Sequence, residues 1–464
     1  MPTTTTWQPA LDRQLARDVL AEALACGATF AELFVEDARS RRIALIDQRI
    51  KEVSSSHAFG VGLRIVQGHR ATYGFTSDAS RQALLTLARA LATSDPGTDA
   101  VVPAPFAPSS LAACRGEDWD AAARVDLLRR ADRAARGRDG RIAQVEASIE
   151  ENTQRVLVAN SEGCWVTEER PYARMFIQAI AAEGGAQQVA SRSPGRAEGA
   201  GFLLGLDVEA LAEDAAEAAA TMLAADHCPA GRMPVIIDKG FGGVIFHEAC
   251  GHLLETTSVA PGASIFAGRL GEEIAHPAVT AIDDGTLAGE WGSVGHDDEG
   301  LPTQRTVLIR EGRLEAYLAD RIGAERVGVA RTGSGRRQSY RFAPASRMRN
   351  TFIAPGDATL DELIAEVPYG LYARRMGGGS VVPGTGDFNF SVREAFIIRD
   401  GRIAEPVRGA TLLGNGADIL KRISKVGRDL ELAAGMCGSI SGSIPVNVGQ
   451  PPLRVDEITV GGRS

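Results

Sequence analysis

The sequence predicts an α+β fold, with an N-terminal α/β domain over residues 1–228 and a mostly β domain over residues 229–464 that carries one motif helix. The chain has 464 residues, which is more than one compact core usually supports. The first half alternates helical spacing of apolar residues with strand-like runs. After residues 226–232, glycine becomes denser, helices become few, and strand–turn–strand patterns dominate.

The N-terminal half contains four helical patterns, over residues 11–26, 79–93, 120–136 and 208–225. Strand-like patterns lie over residues 30–35, 42–53, 60–66 and 71–75, and between residues 141 and 182. The pattern over 42–53 predicts a hairpin that turns near Asp47 and Gln48. The next two strands flank a second turn at residues 67–70.

The C-terminal half contains two clear hairpin patterns, over residues 306–317 and 395–403. Their turns fall at Glu311-Gly312 and Asp400-Gly401, which are residue pairs that favour tight turns. A short apolar strand is predicted at 234–238. Residues 244–254 (VIFHEACGHLL) are apolar enough to predict a buried helix.

Composition and charge exclude several classes of protein. The net charge of −9 argues against non-specific nucleic-acid binding, which needs a basic surface. The N-terminus lacks a basic start followed by an apolar run, and no stretch of about 18 apolar residues occurs, so neither a signal peptide nor a membrane span is expected. The six cysteines form no CxxC pair, which is typical of a reducing compartment. We therefore expect a cytoplasmic protein.

The buried helix contains two histidines and a glutamate, which are expensive to bury unless something satisfies them. His247 and His252 are five residues apart, whereas the familiar zinc-peptidase motif places its histidines four apart. In a regular helix five residues rotate by about 500°, so the two rings would diverge by about 140°. The spacing therefore predicts an irregular backbone, either a π-bulge or a break that Gly251 allows.

Glu248 follows the first histidine, which is the general-base position in metal-assisted hydrolysis. A catalytic zinc usually has three protein ligands. Sequence spacing leaves the third ligand open among five candidates, which are Cys250, Glu255, His276, His296 and Cys437. The alternative without a metal is a pair of hydrogen-bonded core histidines beside an exposed glutamate.

Several further motifs resemble the TldD/PmbA family of metallopeptidases, and their order along the whole chain agrees with that family. Besides HEACGH at 247–252, they are DDGT at 283–286, DDEG at 297–300, PTQRT at 302–306, GRRQSYR at 335–341, RMRNT at 347–351, GMCG at 435–438 and VGQP at 448–451. The resemblance implies zinc held by His247, His252 and Cys437, with Glu248 as the general base. Phe342 departs from the polar residue expected there, which bears on substrate preference alone.

The resemblance also implies a function and a partner. Family members hydrolyse short or unfolded peptides inside an enclosed chamber, including peptides undergoing maturation. They act as dimers, so we expect either a homodimer or a heterodimer with a TldE/PmbA-type paralogue that lacks the motif. The alternatives are a metal-dependent amidase acting on small molecules and a binding subunit that has the fold without the chemistry. The intact motif argues against the second.

Oxyanion stabilisation needs a hydrogen-bond donor near the developing charge. Arg337, Tyr340 and Arg341 are the candidates because they lie in a matched motif and carry donors of suitable reach. The alternative for these residues is structural ion pairing with acids such as Asp297 or Asp298. The sequence does not decide between these two roles.

Overall fold

The computed structural model describes residues 5–25, 27–92, 101–107, 113–114, 120–382 and 385–463. Its N-terminal elements are β1 (Thr5–Thr6), α1 (Arg13–Leu24), β2 (Phe30–Ile46), β3 (Arg49–Gln67), β4 (Arg70–Thr76), α2 (Arg81–Leu91), β5 (Ala113–Cys114), α3 (Ala121–Arg138), β6 (Ile142–Asn160), β7 (Trp165–Glu183), β8 (Ala186–Arg192), β9 (Gly195–Arg196), α4 (Ala200–Leu204) and α5 (Val208–Ala224). The four predicted helices are α1, α2, α3 and α5. Cys26, the last residue of the first prediction, lies outside the described residues.

A seven-stranded antiparallel sheet forms the N-terminal half, in the order β4-β3-β2-β6-β7-β8, with β9 paired to β7. The hairpin turn falls at Asp47 and Gln48 as predicted, and both residues have positive φ. The strand predicted at 30–35 is too short, because β2 continues without a break from Phe30 to Ile46 and includes the first arm of the hairpin predicted over 42–53. Polar residues at the centre of β2 have hydrogen-bond partners there. Glu36, for example, accepts hydrogen bonds from Gln154 and from the Tyr340 amide.

Helices cover one face of this sheet. Alternate residues of the strands point to that face, as the two-residue period of a strand requires. Leu33 and Val61 pack with α1 and α2, whereas Ile43 and Val145 pack with α3 and α5. The opposite face is more polar and meets the C-terminal half.

The C-terminal half contains many short elements. In chain order they are β10 (Asp226–His227), β11 (Gly231–Ile237), a 3-10 turn (Gly240–Gly243), α6 (Val244–Ala249), a second 3-10 turn (Gly251–Leu254), α7 (Thr256–Val259), β12 (Ala281–Asp284), β13 (Arg305–Arg310), β14 (Arg313–Leu314), α8 (Arg321–Val327), β15 (Gly335–Arg336), β16 (Ala345–Ser346), β17 (Asn350–Ile353), α9 (Leu360–Ala365), β18 (Tyr369–Val381), β19 (Asp387–Arg399), β20 (Arg402–Arg408), β21 (Thr411–Asn415), α10 (Gly416–Arg422), β22 (Ile423–Val426), β23 (Glu431–Ser439), β24 (Gly442–Gln450) and β25 (Leu453–Gly461). Both predicted hairpins are present, turning at Glu311-Gly312 and Asp400-Gly401. The α+β prediction is confirmed.

Two sheets enclose the C-terminal core. One follows the order β10-β20-β19-β18-β11-β25-β21, with β22 on β25, and the other follows β14-β13-β12-β17-β24-β23. The short helix α6 packs in this core beside residues such as Ile237 and Phe390. Strand β23 is the edge of the second sheet, and its outer side pairs with no strand among the described residues.

A cluster of buried charges joins the two halves, and we call Glu32, Arg64, Asp298, Glu299 and Arg337 the interface cluster. The Arg64 guanidinium lies 2.7 Å from Glu32 Oε2 and 2.6 Å from Glu299 Oε1. Arg337 pairs with Glu32 as well and donates to the Asp298 carbonyl. Every member is at most 3 % exposed. The boundary at residue 228/229 stays a prediction.

Candidate metal centre

The motif segment is a helix that breaks. Helix α6 ends at Ala249, Cys250 leaves the helical conformation with φ −132° and ψ −48°, and a 3-10 turn continues from Gly251. The predicted irregularity between the histidines is therefore confirmed, and it is a break rather than a π-bulge. The helical segment predicted over 244–254 is therefore divided into α6 and a 3-10 turn, because a straight helix could not aim both imidazoles at one point.

Gly251 is needed for close packing and not for an unusual backbone angle. A Cβ atom at this position would lie 2.3 Å from the Met348 Sδ atom. Gly243, one turn before the motif, has a similar role, because its Cβ would lie 2.5 Å from the Gly449 backbone. These two glycines let α6 approach the second sheet closely, which brings the histidines towards β23.

Two imidazoles and one thiol converge on a single point, and we call His247, His252 and Cys437 the ligand cluster. Both Nε2 atoms lie 3.2 Å from the Cys437 Sγ atom. The two rings meet edge to face, with centroids 5.0 Å apart. His247 and Cys437 are buried, and all three ligand atoms lie within 4.8 Å of one another. The three residues that the resemblance implied as ligands are thus brought together.

The donor set fits zinc. Zn–S bonds of about 2.3 Å and Zn–N bonds of about 2.0–2.1 Å in tetrahedral geometry separate sulfur from nitrogen by about 3.5 Å. The two observed separations of 3.2 Å need only a small adjustment to reach that value. Two imidazole nitrogens and one thiol sulfur are donor types that zinc prefers in proteins.

The other four candidates for the third ligand lie elsewhere or act differently. Cys250 is buried in the core with its Sγ 3.6 Å from the Gly416 carbonyl, and burial raises the pKa of its thiol. His276 accepts a hydrogen bond from the Ala278 amide. His296 lies beside Arg170, and burial lowers its pKa. Within the described residues, the group able to hold a metal contains none of these side chains.

Glu255 orients one ligand rather than acting as one. Its Oε2 atom accepts a hydrogen bond of 3.0 Å from His252 Nδ1, which leaves His252 Nε2 free to face Cys437. The buried carboxylate is held in turn by the Met348 amide. Such carboxylate–histidine pairs commonly fix the orientation of metal ligands. The sequence signal for this role was the spacing, because Glu255 follows His252 by three residues, or about one helical turn.

Arg347 fixes the third ligand and was missed at the sequence level. Its fully buried guanidinium donates to the Cys437 carbonyl, to Ser441 Oγ at 2.9 Å and to the Gly442 carbonyl at 2.9 Å. These bonds hold the turn between β23 and β24 in place. The signal was present, because Arg347 begins one of the matched motifs, but spacing alone gave it no partner 90 residues away.

The electrostatics of the two histidines differ. Burial, and then the charges of His252 and Arg347, hold the pKa of His247 well below its usual value. Burial also lowers the pKa of His252, but the Glu255 carboxylate and Cys437 outweigh it, so that pKa lies well above the usual value. A neutral His247 has a lone pair available to a cation.

Glu248 lies at the rim of the ligand cluster. Its Oε2 atom is 4.0 Å from His252 Nε2, and its side chain is 32 % exposed. Burial of most of the carboxyl raises its pKa. The carboxylate can thus reach a group placed at the cluster while keeping contact with solvent.

The three oxyanion candidates are not gathered at this point. Arg337 belongs to the interface cluster, where Glu32 and the Asp298 carbonyl occupy its guanidinium and the Phe34 ring stacks 4.5 Å away. Tyr340 is buried against Phe34, and Arg341 is exposed beside it. The structural role weighed for Arg337 fits these contacts, with Glu32 as an unforeseen partner. The oxyanion role stays a prediction.

An α+β fold that gathers two histidines and a cysteine around one point, with a carboxylate at the rim, defines a candidate metal-dependent hydrolase. Three family profiles match the chain in succession: PmbA/TldA metallopeptidase domain 1 over residues 31–94, the central domain over 114–223 and the C-terminal domain over 230–462. The chain belongs to the PmbA/TldD family of metallopeptidases.

Relatives agree with this family over nearly the whole length. The chain is 37 % identical to a metalloprotease TldD homolog of Haemophilus influenzae, with 93 % of each chain covered. It is 31 % identical to a zinc metalloprotease TldD homolog of Saccharolobus solfataricus, with 50 % of this chain and 52 % of that protein covered. The crystal structure of TldE from Thermococcus kodakarensis shares the fold, with a TM-score of 0.77, 18 % identity, and 97 % and 100 % of the two chains covered.

None of the described helices combines the length and the apolar character needed to cross a membrane.

Proposed function

We propose that this chain is a zinc-dependent peptidase that hydrolyses short or unfolded peptides, in peptide maturation or degradation. The observation that carries the proposal is the convergence of His247, His252 and Cys437 beside Glu248. The family assignment supports the peptidase class. The relative named as a zinc metalloprotease supports the choice of metal.

Zinc, Glu248 and the residues that hold the ligands would have separate roles in hydrolysis. When bound, zinc supplies a Lewis acid that polarises a carbonyl and acidifies water. Glu248 takes a proton from the attacking water at its carboxylate and returns it to the nitrogen of the leaving amine. Glu255 and Arg347 keep His252 and Cys437 in place throughout.

A peptide substrate suits the position of the site in the fold. Cys437 lies on β23, which is an edge strand of its sheet among the described residues. The carbonyls of Ala434, Gly435 and Cys437 already accept hydrogen bonds from side chains, so an extended chain would pair with the remaining backbone groups of this edge. A folded protein cannot present an extended segment without local unfolding. We therefore expect unfolded chains to be hydrolysed faster than folded ones of equal length. A small-molecule amidase would instead show no dependence on peptide length.

We further propose a cytoplasmic dimer. A thiol ligand suits a reducing compartment, and Cys164, Cys228, Cys250 and Cys437 are free. The structural likeness to a TldE chain is consistent with a heterodimer that contains a TldE-type partner. The mass of the complex isolated from its native cell distinguishes this heterodimer from a homodimer.

The decisive experiment is a Glu248→Gln variant measured for both metal content and peptide hydrolysis. We expect about one zinc per chain in both proteins and a loss of hydrolysis in the variant of at least about 100-fold. A His252→Ala variant should lose the metal itself. Full activity in Glu248→Gln would remove Glu248 from the mechanism, and metal-free active protein would refute the zinc proposal.

A further inference from the structure

Arg174 on β7 lies beside the strand that carries Cys437. Its Nε atom donates to Ser193 Oγ at 2.7 Å, and its Nη2 atom lies 3.5 Å from the Ala434 carbonyl. The guanidinium carbon is 5.9 Å from the centre of the Trp291 ring. The side chain is only partly exposed, so the cation has lost much of its contact with water.

This cation has no carboxylate partner. Among the described residues, no Asp or Glu oxygen lies within 4.0 Å of the Arg174 guanidinium. Glu150 stands directly opposite on β6, but its carboxylate pairs with Arg42 instead. Burial lowers the pKa of Arg174, and the charge of Glu150 offsets only part of this. A desolvated cation without a counter-ion favours the binding of an anion.

A second buried arginine without a carboxylate shows why Arg174 is different. Burial also lowers the pKa of Arg336, yet its guanidinium donates to the carbonyls of Met348 and Pro445 and is 3 % exposed. No ligand could reach Arg336. Arg174 is partly exposed, so a ligand can reach it. One of its five N–H donors bonds to Ser193 and one is directed at Ala434, which leaves three without a partner within the described part of the chain.

The position of Arg174 relative to the ligand cluster is fixed by packing. The Trp291 indole donates to the Gly435 carbonyl at 2.9 Å, which fastens β23 to this corner. A Cβ on Gly195 would lie 3.0 Å from Trp291, 3.2 Å from Ala434 and 3.3 Å from Arg174, so the three side chains close around that glycine. Ala434 precedes Cys437 by three residues, or about 10 Å along a strand.

We propose that Arg174 is a specificity-determining residue that binds a carboxylate of the peptide substrate about three residues from the scissile bond. The inference rests on the proposed peptidase function. The planar guanidinium matches a carboxylate and can hold both of its oxygens. The carboxylate comes from an acidic side chain or from the C-terminus of a short peptide.

The test uses the full-length enzyme and peptides of about eight residues. In one arm of the test, a single Glu is placed at each position in turn within peptides of Ala and Gln, and mass spectrometry identifies the cleaved bond. In the other arm a free C-terminus is compared with its amide at varied distance. We expect kcat/KM to rise about tenfold, or about 1.4 kcal/mol, when a carboxylate lies about three residues from the cleaved bond. The arm that shows the rise identifies the source of the carboxylate.

Variants assign the preference to Arg174. Arg174→Gln should bring the ratio between acidic and neutral peptides to about one, through a fall in kcat/KM for the acidic peptide. Arg174→Lys should keep part of the ratio, which guards against a variant that fails to fold. The matched control Arg393→Gln removes an exposed arginine of β19 and should keep the full ratio. A wild-type ratio near one in both arms, or a full ratio in Arg174→Gln, overturns the proposal.

A binding measurement separates this inference from the proposed function. If the enzyme hydrolyses no peptide, the peptidase proposal fails, and the carboxylate site is still tested by fluorescence anisotropy. The probe is a fluorescein-labelled peptide with Glu or Gln at the chosen position, added to the Glu248→Gln chain. Tighter binding of the Glu peptide that disappears in the double variant with Arg174→Gln supports the site. Equal binding of the two peptides overturns it.

Discussion

The interface cluster and the ligand cluster are both groups of polar side chains with little exposure to solvent, but their chemistry differs. In the interface cluster each cation meets a carboxylate, as in the contacts of Arg64 with Glu32 and Glu299. In the ligand cluster His247 and His252 both direct Nε2 at the Cys437 thiol. Opposite charges compensate each other without an added ion, whereas two imidazoles and a thiol are donor types that zinc prefers. The ligand cluster is therefore the one that fits an added ion.

The interface cluster gives the largest expected loss of stability. Replacing Arg64 by Met leaves Glu299 and Glu32 short of a buried cation, so we expect a loss of about 3–5 kcal/mol. Urea unfolding of the purified chain measures it. The matched control is Arg399→Met, because the Arg399–Glu405 pair is exposed and should contribute less than about 1 kcal/mol. Equal losses of stability in the two variants would mean that burial does not increase the contribution of the interface cluster to stability.

Asp320, which lies near this cluster, makes stability depend on pH. Burial, and then the charge of Glu299, raise the pKa of Asp320 to about 6. Folding therefore favours its protonated form, and the wild-type chain loses stability as pH rises from about 4 to about 6. Asp320→Asn keeps an acceptor for the Gly323 amide but cannot titrate. Relative to the wild type, the free energy of unfolding of the variant should rise by up to about 3 kcal/mol between about pH 4 and pH 6. Parallel plots of unfolding free energy against pH for the two proteins would contradict the raised pKa of Asp320.

The ligand cluster should gain stability from metal where the interface cluster cannot. Zinc at about 100 times its dissociation constant would stabilise the folded chain by about 2.7 kcal/mol. Removing zinc with a chelator should lower the unfolding midpoint of the wild type, and restoring zinc should recover it. His252→Ala is the control, because its midpoint should not respond to zinc. If the unfolding midpoint of the wild type did not change with zinc, the ligand cluster would gain no stability from the metal and would not differ from the interface cluster in this respect.

The sequence predicted the elements of this fold better than it predicted their contacts. Helix spacing and turn residues such as Asp47 and Asp400 are local signals, and those elements were found where expected. The five-residue spacing of His247 and His252 predicted the broken helix, because helix geometry allows few other solutions. Asp298 was foreseen as a neighbour of Arg337. The contacts of Arg337 with Glu32 and of Arg347 with Cys437 could not be predicted, since these partners lie far away in the sequence and only the packed fold brings them near.

Gly251 offers the smallest and most local test of the comparison, because it shapes the ligand cluster without touching the interface cluster. In Gly251→Ala the new Cβ meets Met348 Sδ, so the buried methionine must move, at a cost of about 1–3 kcal/mol. His252 follows Gly251 directly, so zinc affinity should fall together with stability. The double variant Gly251→Ala/Met348→Ala removes the clash and should recover zinc affinity more than stability, since it leaves a cavity. Zinc affinity unchanged in Gly251→Ala would show that this close approach does not set the position of His252.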